Sequence, residues 1–397
     1  MVRLAVRMLV GDLPKWMGVV LGVFFCTFLI THLLSMFNGI LQRTYAAISD
    51  IPQADVWVMD PSTEYVDETA GLPSTALHRV RGVEGVAWAM PLMTGSLRTR
   101  LPSGQFRSVA IIGVDDATLM GVPRDLIGGT AEDLRRAEAV IVDTESANGL
   151  LRLPVAPPVK RPGWDMPDLT GEARPLRVGD ELLINDHRVV VVALAKLGPR
   201  FISRPVVYAT YSHALAVSPP QRNLLSYVLV KASAGTSPHE VAARIEQQTG
   251  LRALTTADFS MITKDYFVRV SGVVSRIGFM VGVGVVVGAC VSGLLLFLIT
   301  AESAKFYATF KALGATNRTV VSMVIAQAVV SGIEGYGLGT GASSLMGFFI
   351  KSPAMPYELT WTTMVFTAVT VGVVTVFSAV LSSIKVMRLE PAMVFNT

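Results

Sequence analysis

Four long apolar runs divide the chain: Trp16–Gln42, Ile277–Thr300, Thr319–Ile350 and Leu359–Ile384. Each exceeds the roughly 20 residues that an α-helix needs to cross a bilayer. The first has no formal charge apart from a proton on His32, and no small-residue cleavage site follows it, so it reads as an uncleaved span rather than a signal peptide. The second carries Gly278, Gly282, Gly284, Gly288 and Gly293, small residues whose four-residue spacing permits close helix contact. The third holds Gly332, Gly335, Gly337, Gly339, Gly341 and Gly347, which predicts a tightly packed or kinked helix with a break near its outer end. The fourth is free of charge until Lys385 and Arg388.

The stretch between the first two runs alternates differently. Residues 54–59, 85–89, 139–142, 206–210, 225–231 and 251–255 read as strands, and 96–100 with 106–113 as hairpin arms joined at Pro102-Ser103-Gly104. Residues 177–195 read as a second hairpin turning at Asn185-Asp186. Helices are expected over 73–81 and, with Ser237 as N-cap and Pro238 first, from there to about residue 248, where Gly250 ends the segment. Residues 154–175 are proline-rich and expected as loops. Strand–helix–strand units thus occupy both ends of the region, with a β-rich insert at about 115–220. The fold class predicted is a membrane α-helical protein of four transmembrane helices, with a large α+β extracytoplasmic domain inserted between helices 1 and 2.

Basic residues orient this layout. Arg3, Arg7 and Lys15 precede the first run and Lys385 and Arg388 follow the last, while Glu302, Lys305, Lys311 and Arg318 leave the segment 301–318 net positive. Positive flanks favour the cytoplasm. The resulting map is an amphipathic surface helix at 1–15, spans at 16–42, 271–300, 319–350 and 359–384, an outer domain at 43–270, a cytoplasmic segment at 301–318, a short outer loop at 351–358 and a cytoplasmic tail at 385–397. Composition agrees: 51% of residues are hydrophobic and 16% charged, too apolar for an ordinary soluble protein. The net charge of +4 is small and its basic residues flank the spans, which points to membrane lipid as a neighbour and away from nucleic acid.

Enzyme chemistry finds little footing. No Gly-x-x-x-x-Gly-Lys-Ser/Thr or Gly-x-Ser-x-Gly sequence occurs. His32, His78, His187, His213 and His239 lack metal-ligand spacing, and Cys26 and Cys290 both lie in apolar runs. The segment 301–318 is the chemistry that remains. It opens as a helix and meets Gly314, a natural C-terminus. Phe306, Phe310 and Leu313 fall on one face, beside Lys305 and Lys311. That face either receives a soluble partner or packs on the protein's own inner surface or among lipid headgroups. Within the spans, Glu334 is costly unless protonated, paired or facing water. It reads as a dimer-interface or gating contact, or as a buried hydrogen-bonded group. His32 reads as a polar packing residue or as a partner for Glu334. The Arg135-Arg136 and Lys160-Arg161 pairs read as solvated faces or partner contacts.

One span, a large outer domain and three further spans resemble the layout of MacB/FtsX-type ABC transporter permeases. Lys311-Ala312-Leu313-Gly314-Ala315-Thr316, preceded by Glu302, is similar to that family's loop between its second and third spans. Arg388-Leu389-Glu390-Pro391-Ala392 resembles its C-terminal end, and Val178-Gly179-Asp180 recurs as the lead-in to a hairpin of its outer domains. Gln327 stands where the family often has Glu, and a carboxylate appears instead at Glu334. The resemblance, to the DevC-like kind without a fused ATPase, implies a non-catalytic subunit of the bacterial inner membrane that pairs with a second copy as a homodimer. Glu302, Lys305, Phe306, Phe310, Lys311, Leu313 and Gly314 would form a coupling helix seated in a separate ABC ATPase, which supplies the ATP and magnesium; no cofactor is implied in this chain. The outer domain would meet a periplasmic adaptor, or membrane-fusion protein. Mechanotransmission that exports or extracts a substrate is the output implied, with an FtsX-like regulator of a cell-wall hydrolase as the alternative; a membrane-anchored sensor needs no such lever.

Overall fold

The computed structural model describes residues 7–9, 11–68, 70–155, 172–201, 204–219, 225–270, 272–350 and 356–387. Most of the expected surface helix at 1–15 that precedes Gly11, the Lys160-Arg161 pair and the tail from Arg388 lie outside them. The chain divides into two compact units, one made of residues 1–41 and 271–397 and the other of residues 42–270.

Residues 7–9 are helical, and helix α1 (Leu13–Thr44) and the short α2 (Ala46–Ser49) come after them. The second unit is then built on one sheet. Its strands are β1 (Val56–Met59), β2 (Val86–Arg100), β3 (Phe106–Val114), β4 (Leu126–Ile127), β5 (Ala139–Asp143), the small ribbon β6 (Leu153–Pro154) and β7 (Ala173–Arg174), β8 (Glu181–Ile184), β9 (His187–Ala195), β10 (Val206–Thr210), β11 (Tyr227–Ala232) and β12 (Arg252–Thr255). Ten of them form a sheet in the order β12-β1-β11-β2-β3-β10-β5-β9-β4, with β8 bridging β2 and β9. Pairing is antiparallel except for β10 on β3 and β5 on β9. Helices α3 (Thr75–Arg81), α4 (Thr144–Asn148), α5 (Tyr211–Val217), α6 (Pro238–Thr249) and α7 (Thr256–Val270) complete the unit.

Strand alternation sends side chains to two faces. Val56, Val58, Val228 and Val230 pack under α3 and α6 with Val80, Val241 and Ile245. Met93, Val109, Val140, Val191 and Val207 extend the same side under α5, with Ala214 and Val217. Trp57, Leu92, Ile112, Tyr208, Tyr227 and Leu229 face the other way, against Ile48, Ile51 and Phe259.

Two expectations change here. The residues expected as separate strands at 85–89 and 96–100 are one 15-residue strand, β2. Its first half pairs with β11 and its second with β3 and β8. Pro91 is tolerated because pairing with β3 starts only at Leu92, so no ladder bond needs its missing N–H on that side. The residues expected as an inserted β-rich subdomain do not make a sheet of their own. Their strands β4, β5, β9 and β10 extend the common sheet from the far edge of β3. A strand as long as β2 has room to serve both groups.

The Val178-Gly179-Asp180 lead-in has a structural role. Gly179 has φ +92°, a left-handed turn that favours glycine. The Asp180 carboxylate accepts two hydrogen bonds from Arg174, at 2.7 Å each, and one from the Arg177 backbone N–H. The β8–β9 hairpin turns at Asn185 and Asp186, both with positive φ.

The first unit gathers α1 with α8 (Val273–Glu302), α9 (Ala304–Ala312), α10 (Asn317–Phe349) and α11 (Trp361–Met387). α1, α8, α10 and α11 are each long and apolar enough to cross a membrane. Glycine sets their spacing. A Cβ on Gly335 or Gly339 of α10 would come within 2.6 Å of Val23 or 2.7 Å of Thr27 in α1, and one on Gly288 of α8 would strike Cys26. A Cβ on Gly332 would lie 3.2 Å from Thr375 of α11, a tight contact rather than a clash. α10 is an unbroken 33-residue helix: of the two readings the tightly packed one holds, without the break expected near its outer end, and Gly332, Gly335 and Gly339 admit neighbouring helices whereas Gly337 and Gly341 meet nothing. Some buried hydroxyls bond within their own helices, Thr27 to the Val23 carbonyl and Thr375 to that of Val371, whereas those of Thr31, Ser292, Ser331 and Thr367 are buried without a partner.

The Arg174 bonds hold the Asp180 carboxyl below the usual carboxylate range, although partial burial opposes them. A depressed folded pKa adds stability that is present above the unfolded value and lost as pH falls through the folded one. Asp180→Asn should therefore destabilise the 42–270 unit by about 1 kcal/mol at pH 7, and its deficit against the parent protein should shrink below about pH 4. Thermal melts across that range check both.

Candidate functional site

Between α8 and α10 the chain makes a tight elbow. α8 ends at Glu302, Ser303 turns, and α9 occupies nine residues. Its end is set by backbone bonds alone: the Ala315 N–H donates to the Phe310 carbonyl at 2.9 Å and the Gly314 N–H to that of Lys311 at 3.0 Å. This six-to-one and five-to-two pair is a Schellman motif, and it needs a left-handed residue, supplied by Gly314 at φ +99°. Two residues later the Thr316 side chain accepts from the Thr319 N–H and starts α10. The Lys311-Ala312-Leu313-Gly314-Ala315-Thr316 run is thus a stop signal joined to a start signal.

α9 presents two faces. Tyr307 and Ala308 are buried in a cluster with Val19, Leu296, Val320, Met323 and Val324, and Phe310 packs against it. The Tyr307 hydroxyl lies 3.2 Å from Gln327 Oε1 on α10 and donates to it. Burial pushes this phenol up to about 12, so it stays a neutral donor. On the other face Phe306 is 63% and Leu313 79% exposed. Glu302 and Lys305 are exposed and Lys311 is half-buried. The expected single face of Phe306, Phe310 and Leu313 is therefore split. Phe310 is turned into the bundle because the face that carries Tyr307 has the deeper apolar contact.

The intramembrane candidates are not brought together. Glu334 Oε2 accepts a hydrogen bond from the Trp16 indole N–H at 2.8 Å, joining α10 to α1. His32 stacks on Phe28, ring centroids 5.5 Å apart and planes 9° apart, and on its other side lies 5.5 Å from Tyr357. Tyr357 in turn shares a hydrogen bond with Ser343. His32 is a packing residue and does not pair with Glu334. Sequence reading missed Trp16, Tyr307 and the bond made by Gln327. A tryptophan at the start of an apolar run reads as an interface anchor, and Tyr307 was overshadowed by the phenylalanines around it. Among the described residues no group of three His, Cys, Asp or Glu could hold a metal.

Two family models match the chain: the MacB-like periplasmic core domain over residues 17–248 and the FtsX-like permease C-terminal region over residues 278–391. The chain belongs to the MacB/FtsX-type family of ABC transporter permeases. Such permeases are membrane subunits, in general not catalytic, that work with ATPase partners. The mixed α/β domain and four apolar helices of this permease are the fold class its sequence predicts. No curated protein matches it by sequence. Solved structures similar to it include the periplasmic region of MacB from Actinobacillus actinomycetemcomitans, 12% identical with a TM-score of 0.36, over 54% of this chain and 94% of that one. The extracellular domain of the ABC-type transporter YknZ from Gram-positive bacteria is 15% identical, TM-score 0.32, over 51% and 98%. A permease domain from Porphyromonas gingivalis is 15% identical, TM-score 0.31, over 51% and 88%.

Removing one partner of the Trp16–Glu334 bond should weaken the helical unit. A double-mutant cycle with Trp16→Phe and Glu334→Met should show a coupling of about 0.6 to 1.7 kcal/mol in melts of the detergent-solubilised permease. The same cycle on His32→Asn and Glu334→Met should be additive.

Proposed function

We propose that this permease couples ATP hydrolysis by a separate ABC ATPase to movement of its 42–270 domain, with export or extraction of a substrate as the output. The observation that carries this reading is the two-sided α9. One side is fixed to α10 through the buried Tyr307 and its bond to Gln327, and the other holds Phe306 and Leu313 out from the protein beside Lys305. A helix that only filled space on the bundle would not leave two large apolar side chains outward at a rigid elbow. In this reading Phe306 and Leu313 enter a groove of the ATPase, and Lys305 and Lys311 face its acidic rim. Closure of the ATPase then displaces α9, and the Tyr307 anchor passes the displacement to α10.

The net positive elbow lies in the cytoplasm of a bacterial inner membrane with both termini, and the 42–270 domain lies on the far side. Two copies pair through their spans, and a periplasmic adaptor meets the outer domain. ATP and magnesium belong to the ATPase. The breadth of the outer domain, with its ten-stranded sheet, favours export over regulation of a cell-wall hydrolase.

The test uses tagged full-length permease co-expressed with the ABC ATPase of its gene neighbourhood. Leu313→Glu and Phe306→Glu should each cut ATPase co-purification by about tenfold or more, a loss of about 1.4 kcal/mol, with the melting temperature of the permease unchanged. Phe310→Glu should instead lower that melting temperature. Undiminished co-purification with both exposed positions charged overturns the reading.

A further inference from the structure

The 42–270 domain holds a partly open cavity of about 110 Å³ that no part of the proposed coupling uses. It lies on the Trp57 face of the sheet, walled by Ile51, Leu92, Ile112 and Val206, which are all part of the apolar core on that face. Its polar lining is unusual. Trp57 is 1% exposed, yet its indole N–H has no acceptor. The Thr94 hydroxyl and the Arg200 Nε–H are likewise buried without a partner. Buried polar groups are normally paired, so three orphans around one space indicate something that belongs in it. The space is also well above what a single water molecule needs.

The charges narrow what that is. Arg200 is already engaged: its guanidinium reaches Asp50 at 3.1 Å and the Tyr208 hydroxyl at 3.5 Å. Two other charged residues line the cavity, Arg204 and Asp67, the latter at the exposed rim. They have opposite signs and attract one another, and Arg200 also acts on Asp67, but among the described residues neither is held in an ion pair within 4 Å. A simple anion would suit Arg204 and be repelled by Asp67, and a simple cation the reverse. A molecule with both charges and no net charge suits both. The unused N–H groups of Trp57 and Arg200 call for an acceptor-rich group, and the aliphatic walls call for an apolar body.

We propose that this cavity binds a small zwitterion with an aliphatic side chain, of the α-amino acid class. Its carboxylate takes the Trp57 and Arg200 N–H bonds and the charge of Arg204. Its ammonium faces Asp67, and its side chain lies against the Ile51, Leu92 and Val206 wall. The site is a ligand site of the outer domain and is independent of the ATPase contact at α9.

L-leucine is the probe. Full-length permease in detergent is titrated by calorimetry and followed by thermal melting with leucine, with isovalerate (the carboxylate and side chain alone), with isopentylamine (the amine and side chain alone) and with inorganic phosphate. Leucine should bind saturably and raise the melting temperature, and each single-charge analogue should bind at least about tenfold more weakly. Arg204→Gln and Thr94→Val should each weaken leucine binding by about tenfold. Thr94→Val should leave the melting temperature of the ligand-free protein unchanged or higher, because it removes an orphaned hydroxyl without changing shape. Lack of leucine binding overturns the proposal, as does binding of isovalerate or phosphate as strong as that of leucine, or leucine binding undiminished in both variants.

Discussion

The placement of α9 depends on one buried contact, the Tyr307 side chain in the bundle with its hydroxyl on Gln327. A nine-residue helix has little stability alone, because nucleation is costly and few hydrogen bonds repay it. α9 persists because Tyr307, Ala308 and Phe310 give it tertiary contact and because both its ends are tied to longer helices. The polar bond adds direction to that contact. Apolar packing tolerates sliding, whereas a phenol and an amide must keep their angle, so α9 and α10 are held in one register.

The same logic runs through the bundle. Lipid offers no hydrophobic drive between helices, so association rests on close packing and on a few polar bonds. Gly335 and Gly339 let α1 approach α10, Gly288 lets it approach α8, and the Trp16–Glu334 bond adds a polar tie on the α1–α10 side. Glu334 is the costly residue of the spans, and the indole gives its carboxylate a donor within the protein.

Elements were legible in the sequence wherever local signals decided them. The Asn185-Asp186 turn, the Ser237-Pro238 start and Gly250 end of α6, and the Gly314 stop of α9 all rest on backbone preferences a few residues wide. Sheet order was not legible, because pairing of β10 with β3 or β5 with β9 joins residues far apart in sequence. The glycines of α10 were ambiguous for a related reason: a glycine that bends a helix and one that admits a neighbour look alike until the neighbour is in place. At the elbow, the position of Phe306 and Leu313 could be read from helical spacing, but the inward turn of Phe310 depended on where α8 and α10 lie. The orphaned groups around Trp57 had no local signature, since Trp57, Thr94 and Arg200 come from distant parts of the chain.

The Schellman turn at Gly314 is made of main-chain atoms, so its geometry is indifferent to the identity of the side chains that flank it. Shape and surface are thereby separated at this bend. Positions such as 305, 306 and 313 are free to change by substitution, while the angle at which they are held stays constant. A duplicated copy of such a protein could thus acquire a new surface here by altering a few outward residues, with the bend inherited intact.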